Sequence, residues 1–417
     1  MRDVFIAGVG MTRFAKYMDR SIKYLAQVAL EHTLADAGLN AKDLEAAWFS
    51  NSGWGFFSNQ HAIRGQVALR EIGIEGIPIA NVENACAGGS TAFHQAWLGV
   101  ASGLHECVLA VGAEKLYHED KKKSFQIFWG GIDVENMKGQ MAAWINALGQ
   151  VKLAVPVADD LKGAGETRSA FMDIYSGMSR WHMATFGTTQ RHLALISSKN
   201  HLHSSMNPYA QFQNPMSVEE VLGARLVSWP LTVPMCAPVG DGAAAAILCS
   251  GDYLKRLQKP RSVRVRASIL GSGTNRPIAD IDKDIAVRLS KLAYDKAALG
   301  PEEIDVAEVH DATAFGELHM TEALGFCPMG EGGPFAESGA TRLGGKIPIN
   351  TSGGLESRGH PIGASGLGQI NELVTQLRHE AGQRQVENCR FALAENGGGN
   401  LGFEEAAMCI HILERVP

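Results

Sequence analysis

The chain has 417 residues, a net charge of −6, and 45% hydrophobic and 20% charged residues. That profile fits a packed globular protein of two or three domains, or one large pseudo-symmetric domain. Mild acidity without a basic block argues against nucleic-acid binding, and no stretch reaches the roughly 18 to 20 apolar residues of a membrane span.

The first residues, Val4 to Val9, form a short apolar run ending in glycine and predict a strand of the fold, too short for a secretion signal. Ser21 to Ala37 has helical spacing through Leu25, Val28, Ala29 and Leu34, with Gly38 as the C-cap. Ala46 to Ser50 reads as the next strand. Cys86 to Ala101, rich in alanine and glycine, reads as a helix buried all round. Val108 to Gly112 has no polar alternation and predicts a strand covered on both faces.

Residues 120–225 change character: tryptophan, methionine, histidine and glutamine rise and the strand signal fades. This reads as an inserted region of helices and loops. Within it Lys121-Lys122-Lys123 is a solvated face or part of a phosphate-attracting rim. Its Trp129, Trp144, Met172, Met178, Trp181 and Met183 either pack as core or line a bulky pocket. Val239 to Leu248 returns to a buried strand, entered by a tight Asp241-Gly242 turn.

The stretch from Ala37 to Ala47 is echoed from Ala297 to Ala307: a helix ends, an acidic turn follows and a strand begins. The echo suggests a duplication, and strand–helix alternation in each half implies a layered α/β fold. The expected division is 1–119 plus 226–255, an inserted 120–225, and 256–417.

Seven cysteines, an odd number without CxxC spacing, fit a reducing cytoplasm and argue against zinc. Cys236, Cys249, Cys389 and Cys409 read as small buried hydrophobes. Cys86 differs, lying in Glu83-Asn84-Ala85-Cys86-Ala87-Gly88-Gly89-Ser90 at the mouth of a helix. A thiol there can become a nucleophile if a histidine helps remove its proton. His360, in the glycine-rich run Ser352 to Gly366, is one candidate, and His310-Asp311 at a strand end offers another. Asn396 to Asn400 could present backbone N–H groups to an oxyanion. A nucleophile, two histidines and an N–H donor strip are what acyl transfer requires.

On these residues the chain resembles the thiolase superfamily over essentially its whole length. The Cys86 segment is similar to the nucleophile motif, Gly359-His360-Pro361-Ile362-Gly363-Ala364-Ser365-Gly366 to the GHPxGxSG signature, and Asp241-Gly242-Ala243 to the DGA motif. It most resembles the sterol-carrier-protein type. His310-Asp311-Ala312-Thr313 stands where other thiolases have Asn-Glu-Ala-Phe, and Phe186 to Phe212 also resembles that subgroup. The resemblance implies a five-layered αβαβα fold of two similar halves with a loop domain. It implies that Cys86 accepts an acyl group from a coenzyme A thioester, with no tightly bound cofactor or metal. His360 would activate Cys86 and serve an oxyanion hole, His310 would replace the asparagine that holds a water there, and the N–H groups of Cys86 and Gly397 would bind the acylation oxyanion.

The chain departs from the family at the second catalytic cysteine. Aligning the glycines places Glu395 there, which raises the expectation that Glu395 is the acid/base. The leading reading is a β-ketoacyl-CoA thiolase or acetyl-CoA acetyltransferase. Transfer to a non-CoA carbon acid, an aldol-type lyase on a CoA ester, and a non-catalytic lipid-binding or partner subunit stay open. Such proteins are commonly homodimers or homotetramers, and a small OB-fold partner protein is a further expectation.

Overall fold

A computed structural model describes residues 1–149, 163–257, 261 and 263–416. Residues 150–162 of the inserted region lie outside the described residues. The main strands, in chain order, are β1 (Val4–Met11), β2 (Ala46–Ser50), β3 (Ile79–Val82), β4 (Cys107–Lys115), β5 (Asp241–Ser250), β6 (Val263–Ser272), β7 (Val306–Glu308), β8 (Phe391–Gly398) and β9 (Ala407–Arg415). The main helices are α1 (Ile22–Ala37), α2 (Gly88–Ala101), α3 (Ala170–Phe186), α4 (Gln190–Ser205), α5 (Ile285–Ala297), α6 (Ala314–Ala323) and α7 (Ser365–Leu377).

The nine strands form one sheet in the order β3-β2-β4-β5-β1-β6-β9-β8-β7. It is symmetric about the β1–β6 seam. Outward from the seam, β1-β5-β4-β2 and β6-β9-β8-β7 show the same sequence of antiparallel, antiparallel and parallel pairings. A single parallel bridge from Ala307 to Ile349 stands where β3 pairs β2 in the first half.

The echoed segments take the same shape. Gly38 and Ala298 both end their helices in the left-handed conformation, at φ 66° and 54°. A one-turn 3₁₀ helix follows each, and in each a carboxylate reaches back to a cap N–H. Asp43 accepts from Asn40 N and Glu303 from Gly300 N, both at 2.8 Å.

The two halves share a buried middle layer. Phe93, Trp97 and Val100 of α2 and Leu367, Ile370 and Leu373 of α7 pack together, against strands of both halves. α1 covers the outer face of the first half and α5 that of the second. This is the five-layered arrangement expected. β5 shows why no polar alternation is present: Ala244, Ala246 and Leu248 face the middle layer, while Ala243, Ala245, Ile247 and Cys249 face the outer one.

Three local expectations change. Asp241 and Gly242 are not a turn but the first residues of β5, because the buried Asp241 carboxylate accepts N–H groups of Tyr17, Leu116 and Tyr117 at 2.8–2.9 Å. Helix α2 starts at Gly88, and Cys86 occupies a 3₁₀ turn before it, Ala85–Ala87. Cys236 is only half-buried and lines a cavity.

The middle layer depends on close backbone approach. A Cβ on Gly112 of β4 would sit 2.0 Å from the Gly363 carbonyl oxygen, and one on Gly89 of α2 would sit 3.0 Å from it. A side chain at Gly112 would force the Gly363 loop outward. Gly112→Ala is therefore expected to destabilise the fold by at least about 1–3 kcal/mol, the usual cost of overpacking. Thermal unfolding against wild type measures it.

Candidate active site

The middle layer brings three loops to one point. The Ala85–Ala87 turn carries Cys86, and its first residue has a left-handed φ of 47°, a strained conformation for alanine. The loop before α7 carries His360, entered through Gly359 at φ 109°. His310 follows the end of β7. Cys86 Sγ and one ring nitrogen of each histidine all lie within 4.8 Å of one another.

His360 Nε2 lies 3.1 Å from Cys86 Sγ, and its Nδ1 lies 2.7 Å from Ser365 Oγ. The Ser365 hydroxyl donates its one proton to the Pro361 carbonyl at 3.0 Å. It must therefore accept from Nδ1–H, which leaves Nε2 with a lone pair aimed at the thiol. Burial, then the neighbouring His310 and Arg358, hold His360 well below the usual histidine range. Burial, with Glu83 and Glu114, pushes the Cys86 thiol up to about 12. The resting pair is thus a neutral thiol beside a neutral imidazole.

His310 is held from two sides. Asn396 Nδ2 donates to its Nδ1 at 3.0 Å, and its backbone N–H donates to Glu395 Oε2 at 2.8 Å. Burial lowers His310 to about 4, so it is neutral. The rings of His310 and His360 meet edge to face, with centroids 5.3 Å apart. Asp311, the partner of His310 in sequence, turns away. It accepts from Leu355 N at 2.6 Å and Asn200 Nδ2 at 3.1 Å, tying the strand end to the glycine-rich run.

A cavity of about 290 Å³ opens at this point. Cys86, His310 and His360 line it together with Gly398, Gly399 and Glu405. Phe128, Phe171 and Met172 of the inserted region supply an apolar wall, and Lys16, Lys121 and Arg225 supply positive charge. Trp129 and Trp144 instead line a separate cavity.

Two of the residues singled out in the sequence do not line this cavity. Glu395 is fully buried behind His310, with Oε1 lacking a partner and burial raising it to about 8. Gly397 lies just behind Gly398, under the Glu405 side chain. Sequence reading missed Ser365, Asn396, Glu114 and Glu405. Ser365 and Asn396 lay inside motifs already noticed. Glu114 ends β4 and accepts N–H groups of Ser52, Gly53 and Gly363 at 2.9–3.2 Å, which fixes the loop carrying His360.

Comparison with known proteins places the chain in a family. The family model "Thiolase, N-terminal domain" matches residues 4–224, and "Thiolase C-terminal domain-like" matches 276–415. The chain is 37% identical over 420 residues to the acetyl-CoA acetyltransferase of Methanothermobacter thermautotrophicus, covering 100% of each. It is 38% identical over 434 residues to sterol carrier protein 2 of Bos taurus, covering 99% of this chain and 75% of that one. The solved Ltp2-ChsH2(DUF35) aldolase shares the fold at a TM-score of 0.76 and 23% identity, covering 99% of this chain and 98% of that one. The chain belongs to the thiolase family, in its sterol-carrier-type branch, and is a thiolase-like acyltransferase.

A neutral Cys86 should react slowly with alkylating agents at neutral pH. Its alkylation by iodoacetamide is expected to climb about tenfold per pH unit up to at least pH 10, without a plateau. Intact-mass kinetics would measure this, and a plateau below pH 8 would reveal a thiolate–imidazolium pair instead.

Proposed function

We propose that Cys86 accepts an acyl group from a coenzyme A thioester and that the acyl-enzyme then takes part in making or cleaving a carbon–carbon bond. The reactions in view are β-ketoacyl-CoA thiolysis and acetyl transfer between acetyl-CoA molecules. The observation that carries this reading is the 3.1 Å approach of His360 Nε2 to Cys86 Sγ inside a cavity that His310 also lines.

In acylation, His360 Nε2 takes the thiol proton as Sγ attacks the thioester carbonyl. The tetrahedral oxyanion is met by the backbone N–H of Cys86, with the N–H of Gly397, one residue behind the cavity-lining Gly398, as its second donor. The coenzyme A thiolate then leaves and takes up the proton held by His360. Gly398 supports this placement of the strip, since a Cβ there would come within 2.4 Å of Ala87 N and Asn84 O. In the carbon–carbon step, His360 and His310 face the second thioester oxygen. Glu395 acts through His310, whose backbone it holds.

The same reading divides the chain into 1–119 with 226–255, an inserted 120–225, and 256–417. It has the protein working in the cytoplasm as a homodimer or homotetramer. Support comes from seven cysteines free of disulfides, from no described helix being long and apolar enough to cross a membrane, and from β3 pairing on one side only at the sheet edge. A small OB-fold partner is part of the proposal, supported by the complex named in the structural relative.

Incubation with acetyl-CoA followed by mass spectrometry tests the reading, which expects an acetyl group on Cys86. Cys86→Ala should abolish it while leaving thermal stability near wild type; wild-type-like turnover in that variant would sink the covalent route. His360→Ala should slow both half-reactions by about 10² or more. His310→Ala should slow the carbon–carbon step by about 10²–10³ and acylation far less. Loss of acylation alone in His310→Ala would reverse the assigned roles.

A further inference from the structure

We propose that Glu405 is the group that carries the substrate proton in the carbon–carbon step, an inference that rests on the acyl-Cys86 reading above. Glu405 belongs to the hairpin joining β8 to β9, which folds its side chain back over β8. There it lines the cavity shared by Cys86, His310 and His360, and Glu395 does not. Gly397 makes room for it: a Cβ at that position would lie 2.7 Å from Glu405 Cγ.

The neighbouring Glu404 shows the contrast. Thr274 N, Arg276 Nε at 3.0 Å and Ile285 N at 2.8 Å all donate to its carboxylate, so it is committed to structure. Among the described residues Glu405 has no comparable set of donors, and it lines the cavity instead. Burial, with Asp284 and Glu404, raises it to about 7, against an opposing pull from His319. Glu395, Tyr175 and Cys86 also lie within its electrostatic reach. A carboxyl near neutrality can take a proton and give it back.

The step balances. The Glu405 carboxylate takes a proton from the α-carbon of an acyl-CoA. The freed electron pair forms the new bond to the carbonyl carbon of acyl-Cys86. The C–S bond breaks with its electron pair on Sγ, which takes up the proton from Glu405. Both groups return to their resting states, and thiolysis is the reverse.

The experiment compares wild type, Glu405→Gln, Glu405→Asp and Glu395→Gln in three assays. These are acetylation of Cys86 by acetyl-CoA, exchange of the acetyl α-protons with D₂O, and the pH profile of condensation. Condensation needs the carboxylate, so the wild-type rate should rise with pH through about 7. Glu405→Gln should still form acetyl-Cys86, lose that limb, and lose exchange and condensation by about 10² or more. Glu405→Asp should keep a limb, displaced in pH. Exchange within about threefold of wild type in Glu405→Gln, or loss of the limb in Glu395→Gln instead, would overturn the proposal. If Glu405→Gln forms no acetyl-Cys86, the aspartate variant decides: a limb at the wild-type pH overturns the proposal and a displaced one supports it. Failure of wild type to acetylate Cys86 would overturn this proposal along with the acyl-enzyme reading; the Glu405 outcomes, with wild-type acetylation intact, overturn this one alone.

Discussion

The whole site hangs on the contact of the Gly363 carbonyl with β4 and α2. Gly112 and Gly89 lack the side chains that would keep it away. Because they do, the loop carrying His360 descends into the middle layer until Nε2 meets Cys86. Glu114, from the end of the same β4, then holds the loop through Gly363 N. Residues 274 positions apart in the chain are thereby placed at hydrogen-bond distance. The approach of His360 to Cys86 is thus a property of how the two halves pack, not of either loop by itself.

That packing also sets the electrostatics. Burial in the middle layer disfavours charge on the thiol and on both imidazoles alike. A neutral pair at rest does not preclude a nucleophile. Ser365 fixes the tautomer, so in the proposed acylation proton transfer to Nε2 needs no rearrangement and accompanies the bonding of Sγ to carbon. Burial also strengthens each N–H donor that the proposed oxyanion would meet.

Much of this was legible from residues. The apolar run Val108 to Gly112 in β4, without polar alternation, announced a sheet covered on both faces. The acidic turns at Asp43 and Glu303 announced the duplication, because each does the same local work on its own cap. Cys86 and His360 stood out because chemistry-bearing side chains rarely sit among so many glycines, and His310 because it stands beside Asp311 at a strand end. What failed was long-range. Asp241-Gly242 carried a turn signal that a buried carboxylate overrode by gathering three N–H groups from distant segments. Cys236 had apolar neighbours in sequence, yet the inserted region leaves a cavity beside it. Glu405 gave no local signal at all, since only the hairpin's fold brings it over Gly397.

The carboxylates show what separates a structural acid from a reactive one here. Glu114, Glu395 and Glu405 are each raised to between about 7 and 8 by burial, so titration alone cannot rank them. Their surroundings can. Glu114 binds backbone N–H groups with both oxygens, and a proton taken there would break the loop clamp. Glu395 uses one oxygen on His310 and points the other into packed protein. A proton on Glu395 has no path to a substrate carbon except through the backbone it holds. Glu405 alone of the three lines the cavity that Cys86 shares. Access to the reacting atoms, set by a missing Cβ at Gly397, is the variable that decides which raised carboxyl can do chemistry.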